Sequence, residues 1–351
     1  MLPYGTRNIN YSQDMAIVRT PLQWGLLVGL FVLLALIPVF GSRYILSLVN
    51  LIAITIITVH GLNILTGYTG QISLGQAAFM AIGGYSSAIL SLRLDFPFWA
   101  SLICAGLIAA IVGLIFGLPS LKVKGFYLVM ATLAAHFIIM WFITHQGGIT
   151  GGAKGMYLPA PQLGGMVFDT QRSMYCIIMP IAAIMTFLAK NLARTRVGRA
   201  FVAIRDNDIA AEVMGVNIFY YKLVSFFVCS FYAGIAGALW VWWAGRVCIE
   251  QFGLMDSVFY LGMMIVGGMG SILGPILGTI LLRLLEEGAS IVAPVMADVL
   301  PFMGEGLFAG LALMFFGVVV ILFLIFEPRG LAHRWEILKS YYRLWPFPYQ
   351  T

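Results

Sequence analysis

The chain has 351 residues, of which 61% are hydrophobic and only 10% are charged, and its mean hydropathy is +0.96. A soluble domain carries roughly 25% charged residues, so this chain could not cover a globular surface in water and must have the bilayer as its solvent. The formal net charge is +6. Because the basic residues lie in short loops between apolar runs, they indicate membrane topology and argue against nucleic-acid binding.

Apolar runs along the chain predict about ten membrane spans, since one spanning helix needs about 20 mostly apolar residues. The predicted fold class is all-α, a polytopic transmembrane helical bundle with helices broken at glycine-rich stretches. The third, sixth, eighth and ninth runs are short or glycine-rich, which is typical of tilted, broken or re-entrant helices. The ten runs are Trp24–Phe40, Tyr44–Leu65, Ser73–Leu90, Phe98–Leu118, Tyr127–Thr144, Met174–Leu188, Lys222–Ala244, Val258–Val266, Ile272–Leu285 and Gly306–Phe326.

Lysine and arginine are distributed unequally between the two sides of these spans. With the N-terminus in the cytoplasm, the inner loops carry 14 of the 20 basic residues, which predicts that both termini are cytoplasmic. The first run is expected to be a retained span and not a cleaved signal peptide. The predicted organisation is a cytoplasmic segment at 1–22, a transmembrane domain at 23–327 and a cytoplasmic tail at 328–351. Its two longest loops are an outer one at 145–173 and an inner one at 190–221.

Glycines and uncharged polar residues interrupt the second and third apolar runs between Gly61 and Gln76. Glycine weakens helix continuity, and non-helical backbone at membrane depth survives only where protein or water covers it. Broken helices in transporters offer free N–H groups and hydroxyls to a solute, whereas close packing of small residues between helices produces the same pattern. The residues alone leave both interpretations open. The candidates for a translocation path or its gate here are Gly67, Gly70, Gln71, Ser73, Gly75 and Gln76.

A second interruption lies between Met263 and Pro275, and the same two interpretations apply to it. Its Gly270–Pro275 stretch weakly echoes Gly70–Gln76, which suggests that the chain consists of two related halves. The candidates for the path or gate in this second stretch are Gly267, Gly268, Gly270, Ser271 and Gly274.

The inner loop contains a short amphipathic helix whose ends are marked. Asp206 or Asn207 can cap its N-terminus, and Gly215 can provide a left-handed stop. Ile209 and Val213 are four residues apart and form an apolar face. Either the membrane surface, the bundle itself or a groove in a motor subunit could cover that face, and the residues do not choose between them.

The sequence lacks the motifs that are typical of ATP hydrolysis, nucleophilic catalysis and metal binding. There is no phosphate-binding G-x-x-x-x-G-K-[ST] loop, no H-E-x-x-H motif, no nucleophile elbow and no paired metal-ligand spacing, so we expect no enzyme activity, no cofactor and no metal. A secondary carrier usually needs an acidic residue deep in a span. Glu286 and Glu287 lie at the predicted outer end of the ninth run, where they are interpreted as solvated. His60 and His136 are isolated within spans and are interpreted as structural.

Four stretches resemble one family in order and spacing. They are the GLN-x₃-GYTGQISLG-x-AAF-x₂-IGGY run from Gly61, the TGG-x-x-G loop from Thr150, the R-x-N-x₂-AA-x₃-G segment from Arg205 and the PRGL sequence after Glu327. Over roughly Ile45 to Trp335 the chain is therefore similar to the branched-chain amino-acid ABC-transporter permeases of the LivH/LivM family, LivM type.

This resemblance implies a permease subunit of an ATP-driven importer in the cell inner membrane, with no nucleic-acid partner. A second related permease would supply the other half of the path, two cytoplasmic ATP-binding subunits would drive it, and a periplasmic or extracellular binding protein would deliver the solute. By the same resemblance, a coupling helix would comprise Arg205, Asp206, Asn207, Asp208, Ala210, Ala211, Glu212 and Gly215. The loop that faces the binding protein would contain Thr150, Gly151, Gly152, Lys154 and Gly155.

The solute expected from the resemblance is a branched-chain or related hydrophobic amino acid. Similar permeases import urea, short amides or aromatic acids, and these stay as alternatives because the binding protein sets most of the specificity. A stand-alone secondary carrier is a further, less favoured alternative.

Overall fold

The computed structural model describes residues 21–120, 125–163, 166–299, 317–323, 325–327 and 329–344. Most of the predicted N-terminal segment, Gly306 to Phe316 of the predicted tenth span, and the last residues of the predicted C-terminal tail lie outside these ranges. Within them, the chain is almost entirely helical and forms a polytopic bundle, which confirms the predicted fold class.

The helices follow one another through mostly short connections. In chain order they are α1 (Pro21–Phe40), α2 (Arg43–Leu62), α3 (Gln76–Leu94), α4 (Phe98–Ser120), α5 (Phe126–His145), α6 (Gly147–Thr150), α7 (Gln171–Arg194), α8 (Arg196–Asp206), α9 (Asp208–Val213), α10 (Ile218–Ala244), α11 (Leu254–Gly267), α12 (Leu273–Val299) and α13 (Leu331–Leu344). Residues 317–323 are also helical. A π-helical segment, Asn63–Tyr68, continues α2 without a break.

Seven helical stretches in the described part of the chain are long and apolar enough to cross a membrane. They correspond to the second through eighth predicted spans. α7 has 24 residues although its apolar run looked short, because polar residues at its two ends continue the helix. Residues 249–267 reach spanning length only when a short 3-10 turn, Ile249–Phe252, precedes α11.

Helix α10 is the central element of the bundle and packs against α2, α3 and α4. Small residues allow α3 and α10 to touch through their backbones. A Cβ atom at Gly237 would overlap the carbonyl oxygen of Met80, and one at Gly83 would overlap the backbone of Gly234. Close approach at small residues is typical of helix packing in membranes. Lipid tails are as apolar as helix surfaces, so helices associate through close van der Waals packing and not through the hydrophobic effect.

The loop between α5 and α7 folds into a small cap with two pairs of short strands. β1 (Met156–Tyr157) pairs antiparallel with β4 (Arg246–Val247), which follows α10, and β2 (Gln162–Leu163) pairs with β3 (Met166–Val167). The predicted outer loop is thus tied by backbone hydrogen bonds to the connection between α10 and α11.

We expect Gly237→Ala to destabilise the bundle by about 1–3 kcal/mol, because the added methyl group overpacks the contact between α3 and α10. Heat-induced unfolding of the purified protein in mild detergent measures the effect. Gly288→Ala is the matched control, since a Cβ atom at Gly288 meets no atom within 4 Å. Equal unfolding temperatures for the two variants would contradict the close contact.

Candidate functional site

The first helix break folds back along the helix that precedes it. The chain turns at Gly70, where φ is +76°, and α3 begins at Gln76. The Gln76 side chain donates from Nε2 to the Thr58 carbonyl at 3.0 Å. Thr58 precedes Tyr68, the last residue of the π-helical segment, by ten residues, or about 15 Å of helix. Helix α3 therefore begins near the middle of the bundle and not at its surface.

The N-terminus of α3 meets the N-terminus of α11 at this depth. The amide N–H of Ala77 donates to Ser257 Oγ at 3.0 Å, and Ser257 lies in the first turn of α11. Nearby, the amide of Leu74 donates to Thr132 Oγ1 at 3.1 Å. Hydroxyl groups of the protein thus satisfy backbone groups that the helix break leaves without intrahelical partners.

The polar side chains of the first break are buried, and most of their polar atoms bond within the protein. Gln71 Nε2 donates to Ser225 Oγ at 3.1 Å, and Cys229 Sγ donates to Gln76 Oε1 at 3.1 Å. Ser73 is fully buried. In this conformation the polar side chains of the first break are packed inside the protein and are not open to a solute.

The second break connects α11 and α12 through a tight turn. Gly268 and Gly270 have φ values of +113° and +72°, which residues other than glycine rarely adopt. Ser271 Oγ donates to the Gly268 carbonyl at 3.0 Å and accepts from the Gly274 amide at 2.9 Å. A Cβ atom at Gly267 would overlap the Gly274 carbonyl oxygen, so the first turn of α12 lies directly against the end of α11.

The buried side chain of Asn63 holds the two breaks together. Its Nδ2 donates to the Ser271 carbonyl at 2.8 Å, and its Oδ1 accepts from the Gly270 amide at 2.9 Å. The two breaks, about 200 residues apart in the sequence, therefore form one structural element. We call Asn63, Gly67, Arg205, Gly270 and Ser271 the junction.

Arg205 connects the junction to the predicted inner loop. Its Nη1 donates to the Gly67 carbonyl at 2.9 Å, and a Cβ atom at Gly270 would lie 2.8 Å from the same nitrogen. The guanidinium also pairs with Asp206 at 3.0 Å. Arg205 lies in the last turn of α8, so a displacement of that helix would act directly on both breaks.

The inner loop forms two helices, and the second, α9, corresponds to the predicted short helix. Helix α8 ends at Asp206, and Asn207 is extended, with its Oδ1 accepting from the Ala210 amide at 3.0 Å. Asn207, rather than Asp206, is the cap of α9, because the Asp206 carboxylate is occupied by Arg205. Gly215 has φ of +84°, as expected for a left-handed stop.

Helix α9 buries Ala211 and exposes an apolar face. Ile209 is 69% exposed, Val213 is 81% exposed and Met214 is 83% exposed. Ile209 and Val213 on this six-residue helix, with Met214 directly after it, form an exposed apolar surface. Such a patch is typical of an interaction site.

The predicted binding-protein loop is a rigid turn at the tip of α5. Thr150 Oγ1 donates to the Ile143 carbonyl at 2.7 Å, and the Gly152 amide donates to Thr150 Oγ1 at 3.2 Å. Gly151 has φ of +75° and Gly155 has φ of +68°. Lys154 is exposed, so this loop presents a cation and backbone edges to its surroundings.

The sequence interpretation of Glu286 and Glu287 as residues at a helix end is wrong. The apolar run stops at Leu285, but α12 continues to Val299, because the small and apolar residues after Gly288 extend the helix. Arg283 and Glu286 form an ion pair at 2.8 Å within this helix. Arg283 and Glu286, two charged residues three positions apart, were the sequence feature that could have indicated a polar site within this helix.

Two further features are not part of the junction. His60 is buried, and neither of its ring nitrogens has a hydrogen-bond partner among the described residues. An apolar cleft of about 380 Å³ lies between α3, α4 and α5. Of the predicted site residues only Thr150 lines this cleft, so the cleft is not formed by the helix breaks.

Comparisons with known proteins agree with the geometry of a membrane permease. The family of permease components of branched-chain amino acid transport systems matches residues 44–324. The high-affinity branched-chain amino acid transport system permease protein LivM of Escherichia coli strain K12 is 31% identical over 329 residues, covering 87% of this chain and 74% of that protein.

More distant relatives match shorter parts of the chain. A probable LivM permease protein of Methanocaldococcus jannaschii is 27% identical over 238 residues, or 66% of this chain and 67% of the relative. The nucleoside ABC transporter permease protein NupC of Lactococcus lactis is 23% identical over 187 residues, or 49% of this chain and 58% of the relative. No solved structure matches the chain.

We expect Asn63→Ala to lower the free energy of unfolding by about 1–3 kcal/mol, because the Gly270 amide and the Ser271 carbonyl lose buried partners. Thermal unfolding of the purified protein measures the change. Asn191→Ala, which removes an amide from α7 outside the junction, serves as the control. A change no larger than that of the control would show that Asn63 does not hold the two breaks together.

Proposed function

This chain belongs to the family of permease components of branched-chain amino acid transport systems, and we propose that it forms half of the translocation path of an ATP-driven importer. A second related permease forms the other half. Two cytoplasmic ATP-binding subunits hydrolyse the ATP, since this chain has no phosphate-binding loop. A periplasmic or extracellular binding protein delivers the solute, and lipid surrounds the assembly.

The link from Arg205 to Gly67 is the single observation that best supports coupling. The hydrogen bond of 2.9 Å joins the helix that precedes α9 to the backbone of the first break. Movement of α9 by a docked ATP-binding subunit would be transmitted through Asn207 and Arg205 to that carbonyl. Because Asn63 joins both breaks, the second break would move with the first.

The exposed apolar face of α9 is the proposed docking surface. Ile209, Val213 and Met214 are held outward by a capped helix, and only Ala211 turns toward the bundle. An apolar helix face of this kind binds a hydrophobic groove, as amphipathic helices do in other complexes. We therefore assign α9, together with the end of α8, as the coupling element.

The glycine-rich breaks act as a gate in this proposal. Most of their polar groups bond within the protein in the present conformation, which is expected of a closed state; Gln71 Oε1 is buried and has no partner among the described residues. Opening the contact between Asn63 and the second break costs two hydrogen bonds, each with a net contribution of about 0.5–1.5 kcal/mol. A cost of that size keeps the gate shut at rest and lets a motor subunit reverse it.

The orientation proposed here places the junction at the cytoplasmic end of the bundle and α9 in the cytoplasm. The basic residues of the inner loop support this placement by the positive-inside rule, and cytoplasmic termini and an inner-membrane location are part of the same proposal. The cap formed by the TGG-x-x-G loop and β4 then lies on the outer side. Its exposed Lys154 and backbone edges face the binding protein.

The solute proposed is a branched-chain or related hydrophobic amino acid. The relative from Lactococcus lactis is described as a nucleoside permease, so related permeases carry different solutes. Uptake into proteoliposomes by the complete transporter, with leucine, urea, an aromatic acid and a nucleoside compared, identifies the solute class. Leucine uptake without ATP-binding subunits would instead establish a secondary carrier.

We expect Arg205→Ala to abolish ATP-driven uptake, because the inner loop loses its hydrogen bond to the first break. The purified complex should still contain all of its subunits and hydrolyse ATP, but transport per ATP should fall about ten-fold or more. Arg196→Ala is the matched control, since Arg196 is exposed at the opposite end of the same helix. Equal uptake by the two variants would eliminate Arg205 as the coupling residue.

We expect Val213→Asp to weaken binding of the ATP-binding subunits about ten-fold or more, because it places a charge in the centre of the docking face. Co-purification in mild detergent measures the loss. Val167→Asp changes a similarly exposed valine in the outer cap, 53% exposed, and should leave the assembly intact. Full recovery of the ATP-binding subunits with Val213→Asp would place their docking surface elsewhere.

A further inference from the structure

A cluster of charged and polar side chains joins α2, α11 and α12 away from the junction. Arg283 Nη1 donates to Glu286 Oε2 at 2.8 Å, and its Nη2 donates to Thr55 Oγ1 at 3.3 Å. Asp256 of α11 lies within electrostatic range of the same guanidinium. We call Thr55, Asp256, Arg283 and Glu286 the polar wall.

The polar wall lies at mid-depth in the bundle. Arg283 is ten residues beyond Leu273, the first residue of α12, which corresponds to about 15 Å of helix. Thr55 is also about midway between Arg43 and Tyr68, the ends of the stretch formed by α2 and its π-helical continuation. Since the hydrocarbon core is about 30 Å thick, these charges lie far from either membrane surface.

One side of the polar wall is open in the described part of the chain. The Glu286 side chain is 47% exposed, whereas that of Arg283 is 12% exposed. Hydrocarbon does not solvate a carboxylate at this depth, and intramembrane charges usually face a water-filled cavity or another polar group. A water-filled path or another polar group therefore fits the open side better than lipid does.

The guanidinium retains hydrogen-bonding capacity. Arg283 Nη1 and Nη2 each carry two N–H groups, and the contacts to Glu286 and Thr55 use one of each pair; Nε is buried and has no partner among the described residues. The Asp256 carboxylate accepts from the Gly253 amide through Oδ2 at 2.8 Å, which holds it at the start of α11. A fixed cation with a free N–H group thus lies beside two carboxylates.

We infer that the polar wall binds the charged backbone of a zwitterionic amino acid in transit. Arg283 receives the α-carboxylate, for which a guanidinium is well suited, and Glu286 receives the α-ammonium at the open side. The aliphatic side chain needs no charged partner. This assignment rests on the proposed importer function and adds to it the residues that contact the solute.

Uptake by the complete transporter in proteoliposomes, with ATP inside and leucine-loaded binding protein outside, tests the assignment. We expect Arg283→Gln to reduce leucine uptake about ten-fold or more, because a charge-assisted contact to the carboxylate is lost, while ATP hydrolysis stimulated by the binding protein persists. Arg283→Lys, which keeps the charge, should retain part of the uptake. Arg172→Gln, at an exposed arginine at the start of α7, is the control.

The outcomes separate this assignment from the proposed function. Absence of ATP-driven leucine uptake by the wild-type complex would overturn the importer itself. Wild-type uptake with an unchanged Arg283→Gln variant would overturn only the polar wall. Loss of assembly with both Arg283→Gln and Arg283→Lys would make Arg283 a structural ion-pair residue and would also overturn the assignment.

Thiol labelling tests the open side without relying on Arg283 variants. With the four free cysteines, Cys104, Cys176, Cys229 and Cys248, replaced by serine, Glu286→Cys should react with a lipid-insoluble thiol reagent, and leucine transport should slow the reaction. Ile111→Cys is the control, since Ile111 of α4 is 56% exposed at similar depth without a charged neighbour in the cluster. Equal reactivity of the two cysteines would place Glu286 in lipid or protein and overturn the proposal.

Discussion

The side-chain amide of Asn63 is the interaction on which the breaks of this bundle depend. A helix interrupted inside a membrane exposes backbone N–H and carbonyl groups that lipid cannot satisfy. Asn63 supplies both a donor and an acceptor to the second break. Because one side chain satisfies two backbone groups from a distant segment, neither break is independent of the other.

The same requirement explains the hydroxyl groups around the start of α3. Ser257 and Thr132 accept from backbone amides of the returning segment, and Ser225 accepts from the Gln71 side chain. Each of these hydroxyls comes from a different helix. The returning segment is therefore a contact point between α5, α10 and α11, and a shift of any one of them changes the hydrogen bonding of the others.

The junction and the polar wall lie at different depths in the bundle and contain different kinds of polar group. At the end of the bundle that carries α8 and α9, the contacts are made by backbone groups, the Asn63 amide and the partly exposed Arg205 guanidinium. At mid-depth, α12 carries an arginine and a carboxylate that lipid would not tolerate. A gate and a solute site have these different needs, since a gate must open repeatedly and a binding site must keep its charges in place.

The sequence by itself determined the fold class, the family, seven of the spans and the position of both helix breaks, because apolar run length, glycine content and motif order are local properties of the chain. It also located the cap at Asn207 and the stop at Gly215 to within one residue. Only the tertiary structure decided that Asn63 and Arg205 connect the two breaks, since those contacts join residues 138 or more positions apart. It alone decided that Arg283 lies beside Thr55 of α2, because that contact joins residues 228 positions apart and hydropathy does not record it.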